Sequence, residues 1–359
     1  MQHAGRPIRS ASLGGYAELV RALGADPDRL LRGVGLSAAG LQHPETLIPG
    51  GAVRELLEAT ARATGADDFA LRLAATRSLA DLGAVGLVLC EQPTARQALD
   101  MLCRYLRVLN ATLVTRVEEV GDTVVVHEEL LPDPQLPMRQ SMELAVGVMF
   151  RTLRELIGPG WRPRQVSFTH RAPADAGPHR AFFGCLVLFN QGFNGLACGA
   201  RDLQAAREAD NPAAARFARD HLDATLRRRT GSLQAACREL VLALLPGGQC
   251  TAPQVARRLC MDRRTLHRRL AAEGTGFATL LHEVRADMVV RHLRESDLPL
   301  GEIAALLGFA TASSFSHWFR GRFGVSGVGW RKGIVGGRLG ATAVDVKRVL
   351  SGDLTLAND

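Results

Sequence analysis

The chain has 359 residues, 47% of them hydrophobic, and a formal charge of +8, enough length for two or three domains with buried cores. No stretch approaches eighteen uncharged apolar residues and the N-terminus lacks a long apolar run, so a cytoplasmic protein with no export signal or membrane span is expected. The seven cysteines form no CxxC pair and are odd in number, which argues against a disulfide framework or a zinc ribbon.

In chain order, helical periodicity is first clear at 52–65. A second helix is predicted over 95–109, with Thr94 as its N-cap. Apolar and polar residues then alternate through LVTRVEEVGDTVVVHEEL (113–130), as in a hairpin turning at Gly121-Asp122. A third helix is predicted at 142–158, stopped by Gly158-Pro159-Gly160, and 164–170 and 185–190 read as further strands. Residues 1–205 are therefore expected to form an α+β domain. Residues 206–248 are mostly helical and polar and predict the last helix of the first domain, a dimerisation helix or a linker, ended by Leu245-Pro246-Gly247-Gly248. Thr251 with Pro253 makes a helix start, so a second, all-α domain is expected over 249–332. Residues 333–359 are rich in glycine and read as a flexible tail with one short helix at 344–350.

The second domain contains a repeat. QVARRLCMDRRTLHRRL (254–270) overlays EIAALLGFATASSFSHWF (302–319): Val255, Ala256 and Leu259 match Ile303, Ala304 and Leu307, while Leu266 and Leu270 match Phe315 and Phe319 after one extra turn residue. Each copy is a short helix, a tight turn and a second helix. Small Ala256 and Ala304 permit close helix crossing, and the larger apolar residues close the contact. Gly308 suits the left-handed residue that ends a helix. The helical stretch between the copies, 277–296, turns Leu280, Leu281, Val284, Met288 and Leu293 inward; a helix of about 18 residues there, at 1.5 Å per residue, is about 27 Å long. Such a spacer suits two helices entering successive major grooves, roughly 34 Å apart. Residues 245–332 hold thirteen Lys and Arg against seven Asp and Glu, a net +6 of the total +8, which points to double-stranded DNA as the partner.

These residues resemble the DNA-binding domain of the AraC/XylS family of bacterial transcription regulators. The resemblance is carried by RRTLHRRLAAEGTGFATLLHEVR, IAALLGFATASSFSHWFRGRFG and the closing WR at 330–331. It implies that both second helices read DNA. In the first, Arg263, Arg264, Thr265, His267 and Arg268 are the expected contacts, with base reading by Arg264, His267 and Arg268. In the second they are Thr311, Ser313, Ser314, Ser316, His317 and Arg320, with base reading by Ser313, Ser314 and His317. Most protein–DNA contacts go to phosphates, so each arginine also has that simpler reading. Two departures stand out: His317 occupies a position commonly arginine in the family, and Gly327 stands where proline usually precedes the final helix. The first weakens the expectation of guanine reading; the second predicts a looser chain end.

The stretch from about 33 to 203 resembles the arabinose-binding-type N-terminal domain of regulators that include the ornithine-utilisation type, through GLSAAGLQHPETLIPGG (35–51), 82–110 and 166–196. That resemblance implies a small-molecule effector domain, with possible homodimerisation. The run HRAFFGCLVLFNQGFNGL (179–196) mixes aromatic and amide groups, and Phe183, Phe189, Asn190 and Asn194 are its candidate effector contacts; the phenylalanines equally suit a plain core. The expected mechanism is promoter binding through both helix-turn-helix units, with the effector controlling contact to RNA polymerase and activation the expected outcome. Motifs for metal, nucleotide or serine-hydrolase chemistry are missing, so neither an enzyme nor a cofactor is expected. An alkylation-repair methyltransferase sharing this DNA-binding domain would need a four-cysteine zinc site and Pro-Cys-His, and neither is in the sequence. The remaining alternative, an architectural DNA-binding protein without an effector, is disfavoured by the large, nearly neutral first domain.

Overall fold

A computed structural model describes residues 6–131, 133, 135–207, 212–228, 232–246, 248, 250–259 and 261–335. The expected tail helix at 344–350 lies outside the described residues. The elements of the first body are β1 (Pro7–Arg9), α1 (Tyr16–Ala22), α2 (Pro27–Gly33), β2 (Leu47–Pro49), α3 (Gly50–Thr64), α4 (Phe69–Ala75), α5 (Ala84–Cys90), α6 (Ala95–Leu109), β3 (Leu113–Val120), β4 (Thr123–Leu130), α7 (Arg139–Ile157), β5 (Gln165–Ser167), α8 (Gly177–Phe183), β6 (Leu186–Leu188), β7 (Asn194–Gly199), α9 (Ala200–Leu203) and α10 (Pro212–Arg228). Those of the second are α11 (Leu233–Leu244), α12 (Ala252–Arg258), α13 (Arg263–Ala272), α14 (Phe277–Glu295), α15 (Leu300–Leu306), α16 (Ala312–Phe323) and α17 (Gly327–Val335). The main break between the bodies falls between α10 and α11.

In the first body, a sheet of order β3-β4-β7-β5-β6 is antiparallel except for the parallel β5–β6 edge. The hairpin turns at Gly121-Asp122 as its alternation implied: Gly121 takes the left-handed φ of +62°, and Val120 pairs with Thr123. Arg164 grips the turn, donating to both Asp122 oxygens at 3.1 and 2.8 Å and holding that carboxyl down at about 2. Along β4 the period of two sends Val124, Val126, Glu128 and Leu130 into the core. Helix α6 starts where Thr94 accepts the Gln97 N–H at 3.2 Å, and buries Ala95, Ala98, Leu99, Leu102, Tyr105 and Leu106 along one stripe. A second cluster, around Tyr16, Leu56, Leu57 and Phe69, joins α1 to α4.

Strand β7 is central, yet its sequence NGLACG gives little alternation. Gly195 explains its glycine: a Cβ there would lie 1.9 Å from the Val126 carbonyl oxygen, at a φ of +142°. Helix α10 packs on α5 and α6, anchored where Tyr105 and Arg104 both donate to Asp223, at 2.9 and 3.1 Å. The 206–248 segment is therefore not one linker. Its first helix belongs to the first body and its second, α11, to the other, because each finds its own apolar partner.

In the second body, α11 lies along α14. Arg238 donates to Glu283 and, at 2.9 Å, to Asp287, while the Glu273 carboxylate accepts the Leu233 and Gln234 N–H groups at 2.9 Å. That carboxylate satisfies the open donors at the start of α11. Of the residues expected on the inner side of α14, Leu280, Val284, Met288 and Leu293 are buried and Leu281 is half-buried. At α12 the helix starts after Thr251 as expected, but without a side-chain cap: the Thr251 hydroxyl lies 3.1 Å from Gln254 Oε1 instead.

Candidate nucleic-acid interface and ligand cavity

The repeated sequence folds into two helix-turn-helix units, α12–α13 and α15–α16. In the first, α12 packs on α13 with Val255, Ala256, Leu266 and Leu270 buried, while Leu259, expected in the same row, is half-buried. In the second, α15 packs on α16 with Ile303, Ala304, Leu307, Phe315 and Phe319 all buried. The second core is aromatic: Phe319 packs 4.6 Å from Phe323 and 6.1 Å from Trp330, centroid to centroid.

With Leu266 and Leu270 buried, α13 turns Arg263, Arg264, His267, Arg268 and Arg269 to solvent. Arg257 and Arg258 at the end of α12 are also exposed. None of these arginines forms an ion pair with a described residue, so their charge is available to a polyanion. Thr265 is placed differently. Its N–H and its hydroxyl both donate to the Asp262 carboxylate, each at 2.8 Å, so the side chain serves the N-cap and holds Asp262 below its usual pKa. A cap of this kind fixes where the basic helix begins.

On α16, Ser313, Ser316, His317 and Arg320 are exposed at i, i+3, i+4 and i+7 and share one face. Thr311 and Ser314 are again cap residues. Thr311 Oγ1 accepts the Ser314 N–H at 3.1 Å, and the Ser314 hydroxyl donates to the Thr311 carbonyl at 2.8 Å. Three of the eleven expected contacts, Thr265, Thr311 and Ser314, thus have their side chains committed at helix starts. The other eight are open.

The long helix holds the second unit by contacts that periodicity did not reveal. Arg285 Nε and Nη2 donate to the carbonyls of Leu307 and Gly308 at 2.8 and 3.1 Å, and its guanidinium lies 4.2 Å from the Phe309 ring centroid. Gly308 has the expected left-handed φ, +68°. Trp318 Nε1 donates to His282 Nδ1 at 3.0 Å; burial and nearby Arg285 and Arg322 push the His282 pKa down, which preserves the acceptor. The final helix is not left loose by Gly327, because Ser326 Oγ accepts the Gly329 N–H at 3.1 Å and Arg331 donates to the Leu298 carbonyl at 2.7 Å.

The first body contains a cavity of about 140 Å³ between α3, α6, β4 and α7, with Val53, Leu57, Leu102, Leu106, Leu130 and Met149 among its walls. None of the four expected effector residues lines it. Phe183 is fully buried among Phe150, Phe168 and Phe182, with centroids 5.4, 6.1 and 4.8 Å away. Phe189 stacks on Phe168 at 5.7 Å. Asn190, at φ +54°, belongs to the link between β6 and β7, and Asn194 is buried in β7 opposite Glu128. The aromatic run fills a core; the cavity lies elsewhere.

Glu128 reaches the cavity from the inward row of β4 and is 1% exposed. The Thr115 hydroxyl donates to its Oε1 at 2.8 Å, while Oε2 has no described partner. Burial without a nearby cation pushes its pKa up to about 8. Arg54, 4% exposed, spends three donors on the carbonyls of Leu131, Leu136 and Pro137. Arg9 is paired with Glu45, and Arg77 donates to the carbonyls of Ala11, Ser12 and Gly14.

Comparison with known proteins matches both bodies. Residues 24–206 fit the family described as the arabinose-binding domain of AraC transcription regulator, N-terminal, and residues 255–333 fit a helix-turn-helix domain family. The HTH-type transcriptional regulator VirS of Mycobacterium tuberculosis (strain ATCC 25618 / H37Rv) is 33% identical over 327 residues, covering 90% of this chain and 95% of that protein. The ornithine utilization regulator of Pseudomonas aeruginosa is 29% identical over 66% of this chain and 70% of its own. The crystal structure of the transcriptional regulator CdpR from Pseudomonas aeruginosa aligns over 85% of this chain and 97% of that one, at 24% identity and a TM-score of 0.42.

Proposed function

The chain belongs to the AraC/XylS family of DNA-binding transcription regulators, and from that premise we propose an effector-responsive activator that reads two adjacent major grooves with α13 and α16. The observation that carries this reading is the pair of exposed second helices, each fixed at its start by a cap and at its back by a buried apolar row. Helix α13, with four exposed arginines, supplies most of the phosphate neutralisation and hence most of the affinity. Helix α16, with Ser313, Ser316 and His317 exposed, contributes less affinity and more sequence dependence.

The cavity in the first body is the effector site in this reading. Effector binding there alters how the DNA-bound protein meets RNA polymerase or a second copy of the chain. We assign the protein no catalytic step and place it in the cytoplasm, where promoters are; among the described residues no helix is long and apolar enough to cross a membrane.

Site selection from random duplex DNA with the full chain tests the DNA half of the proposal. The expected product is a bipartite sequence whose two conserved blocks lie about one helical turn apart. Recovery of a single block, or of no sequence preference, would overturn the two-groove reading.

A further inference from the structure

We propose, resting on the reading of this cavity as the effector site, that it takes a small uncharged molecule with a ring-sized apolar body and one hydroxyl or carbonyl head, held by Glu128 Oε2 and Ser141 Oγ. The volume comes first. A cavity of about 140 Å³ is close to the engineered apolar cavity of about 150 Å³ that admits benzene, which limits the apolar body to about one ring.

The chemistry of the walls sets the head group. Ser141 opens helix α7 and, like Glu128, lines the cavity; it is 9% exposed, and its Oγ has no described partner. Ser12 Oγ and Arg77 Nε of the lining also lack a described partner, and each such buried atom carries a desolvation cost that a ligand head can remove. Oε1 is occupied by Thr115, so Oε2 is the atom left to face a ligand. A neutral carboxyl and a hydroxyl can both donate and accept, as the head of an alcohol or a ketone requires.

Charged heads fit less well. A carboxylate would face the Glu128 carboxyl and find the guanidiniums around the cavity largely committed: Arg9 faces Glu45, Arg54 meets three carbonyls, and Arg77 meets three carbonyls and lies 3.9 Å from Asp81, keeping only Nε without a described partner. An ammonium would first have to ionise a carboxyl that burial keeps protonated, and then be desolvated itself. A pentose, with hydroxyls around its whole ring, would set most of them against leucine, valine and methionine walls. The apolar lining therefore separates this cavity from a sugar site.

The test is calorimetric titration of the full chain at pH 7, without DNA, using benzyl alcohol, benzylamine, benzoate, toluene and arabinose. Benzyl alcohol should bind at least tenfold more tightly than benzylamine, benzoate or arabinose, and more tightly than toluene. Glu128→Gln, which keeps a donor and an acceptor, should retain its binding within about threefold, while Glu128→Leu should abolish the preference for benzyl alcohol over toluene. A charged probe or arabinose binding best, no binding by any probe, or an unchanged preference in Glu128→Leu would overturn the proposal. The wild-type probe series stands even where the leucine variant fails to fold. A charged probe or arabinose binding best contradicts this proposal and leaves the cavity as the effector site, whereas no binding by any probe contradicts that reading as well.

Discussion

The guanidinium of Arg285 lies 4.2 Å from the centroid of the Phe309 ring while bonding the two carbonyls that close the turn of the second helix-turn-helix unit. One side chain on the long helix thus satisfies the open acceptors at the end of α15 and covers an aromatic face of the α16 core. This contact ties the spacer helix to the recognition unit it presents.

Arg285→Ala should therefore destabilise the DNA-binding body by about 2–3 kcal/mol, the sum expected for charged hydrogen bonds and a partly buried cation–π contact. Arg285→Lys should recover less than half of that, because an ammonium cannot fork between two carbonyls and stack at once. Urea denaturation of the full chain, followed by Trp318 and Trp330 fluorescence, reads the difference. Equal stability of the alanine variant and wild type would remove Arg285 from this role.

Gly308 tests the same turn from the backbone. Its φ of +68° is strained for any residue with a Cβ, and that Cβ would lie 3.2 Å from the Leu245 carbonyl oxygen at the end of α11. Gly308→Ala should cost about 1–2 kcal/mol in the same denaturation experiment. Exposed Gly321, whose Cβ would meet nothing within 4 Å, is the control; its alanine variant should be neutral or slightly stabilised.

Glu128 predicts a pH dependence. Its folded pKa, about 8, lies above its ordinary 4.5, so below 4.5 both folded and unfolded chains hold the proton and stability is greatest. As pH rises from 4.5 to 8 the unfolded chain releases that proton and the folded chain keeps it, so stability falls across this window. Glu128→Gln lacks this titration and should gain on wild type through the same window, by on the order of 3 kcal/mol at its upper end. Thermal unfolding of the two proteins from pH 4 to pH 9 measures it; parallel curves would contradict the buried neutral carboxyl.

Arg263, Arg264 and Arg268 are exposed and enter no ion pair with a described residue, so alanine at each removes one cation. Any one that contacts a phosphate should lower the salt slope of binding by about 1 and weaken specific and random DNA alike. Any one that reads a base should cost about 1–3 kcal/mol on specific DNA only. Fluorescence anisotropy on both DNAs over a salt series separates these outcomes for each residue.

The sequence made the DNA-binding body legible because its signal is local and repeated. The offset match of Val255 with Ile303 and Leu266 with Phe315 reports buried positions, and burial of those rows turns the opposite face outward. What it hid were pairings between distant residues. Arg285 finds the Leu307 carbonyl 22 positions on, and Arg238 finds Asp287 49 positions on; neither spacing leaves a periodic trace. Thr265, Thr311 and Ser314 sit on helix starts where a hydroxyl suits a cap as well as a DNA contact, and local geometry assigned them to the caps.

In the first body the aromatic run 179–196 is as rich in apolar surface as any pocket wall, yet Phe183 and Phe189 pack on Phe168 away from the cavity. The cavity had its own signal. Glu128 shares the inward row of β4 with Val124, Val126 and Leu130, and a carboxyl in an apolar row is the anomaly that points to the cavity.

Methylation interference on a selected operator tests the central claim most directly. With the wild-type chain, guanine methylation should block binding in two major-groove segments on one face of the duplex, about one helical turn apart. Arg268→Ala should erase interference in one segment and His317→Ala in the other, each leaving its neighbour intact. A single protected segment, or both substitutions acting on the same one, would contradict the assignment of α13 and α16 to separate grooves.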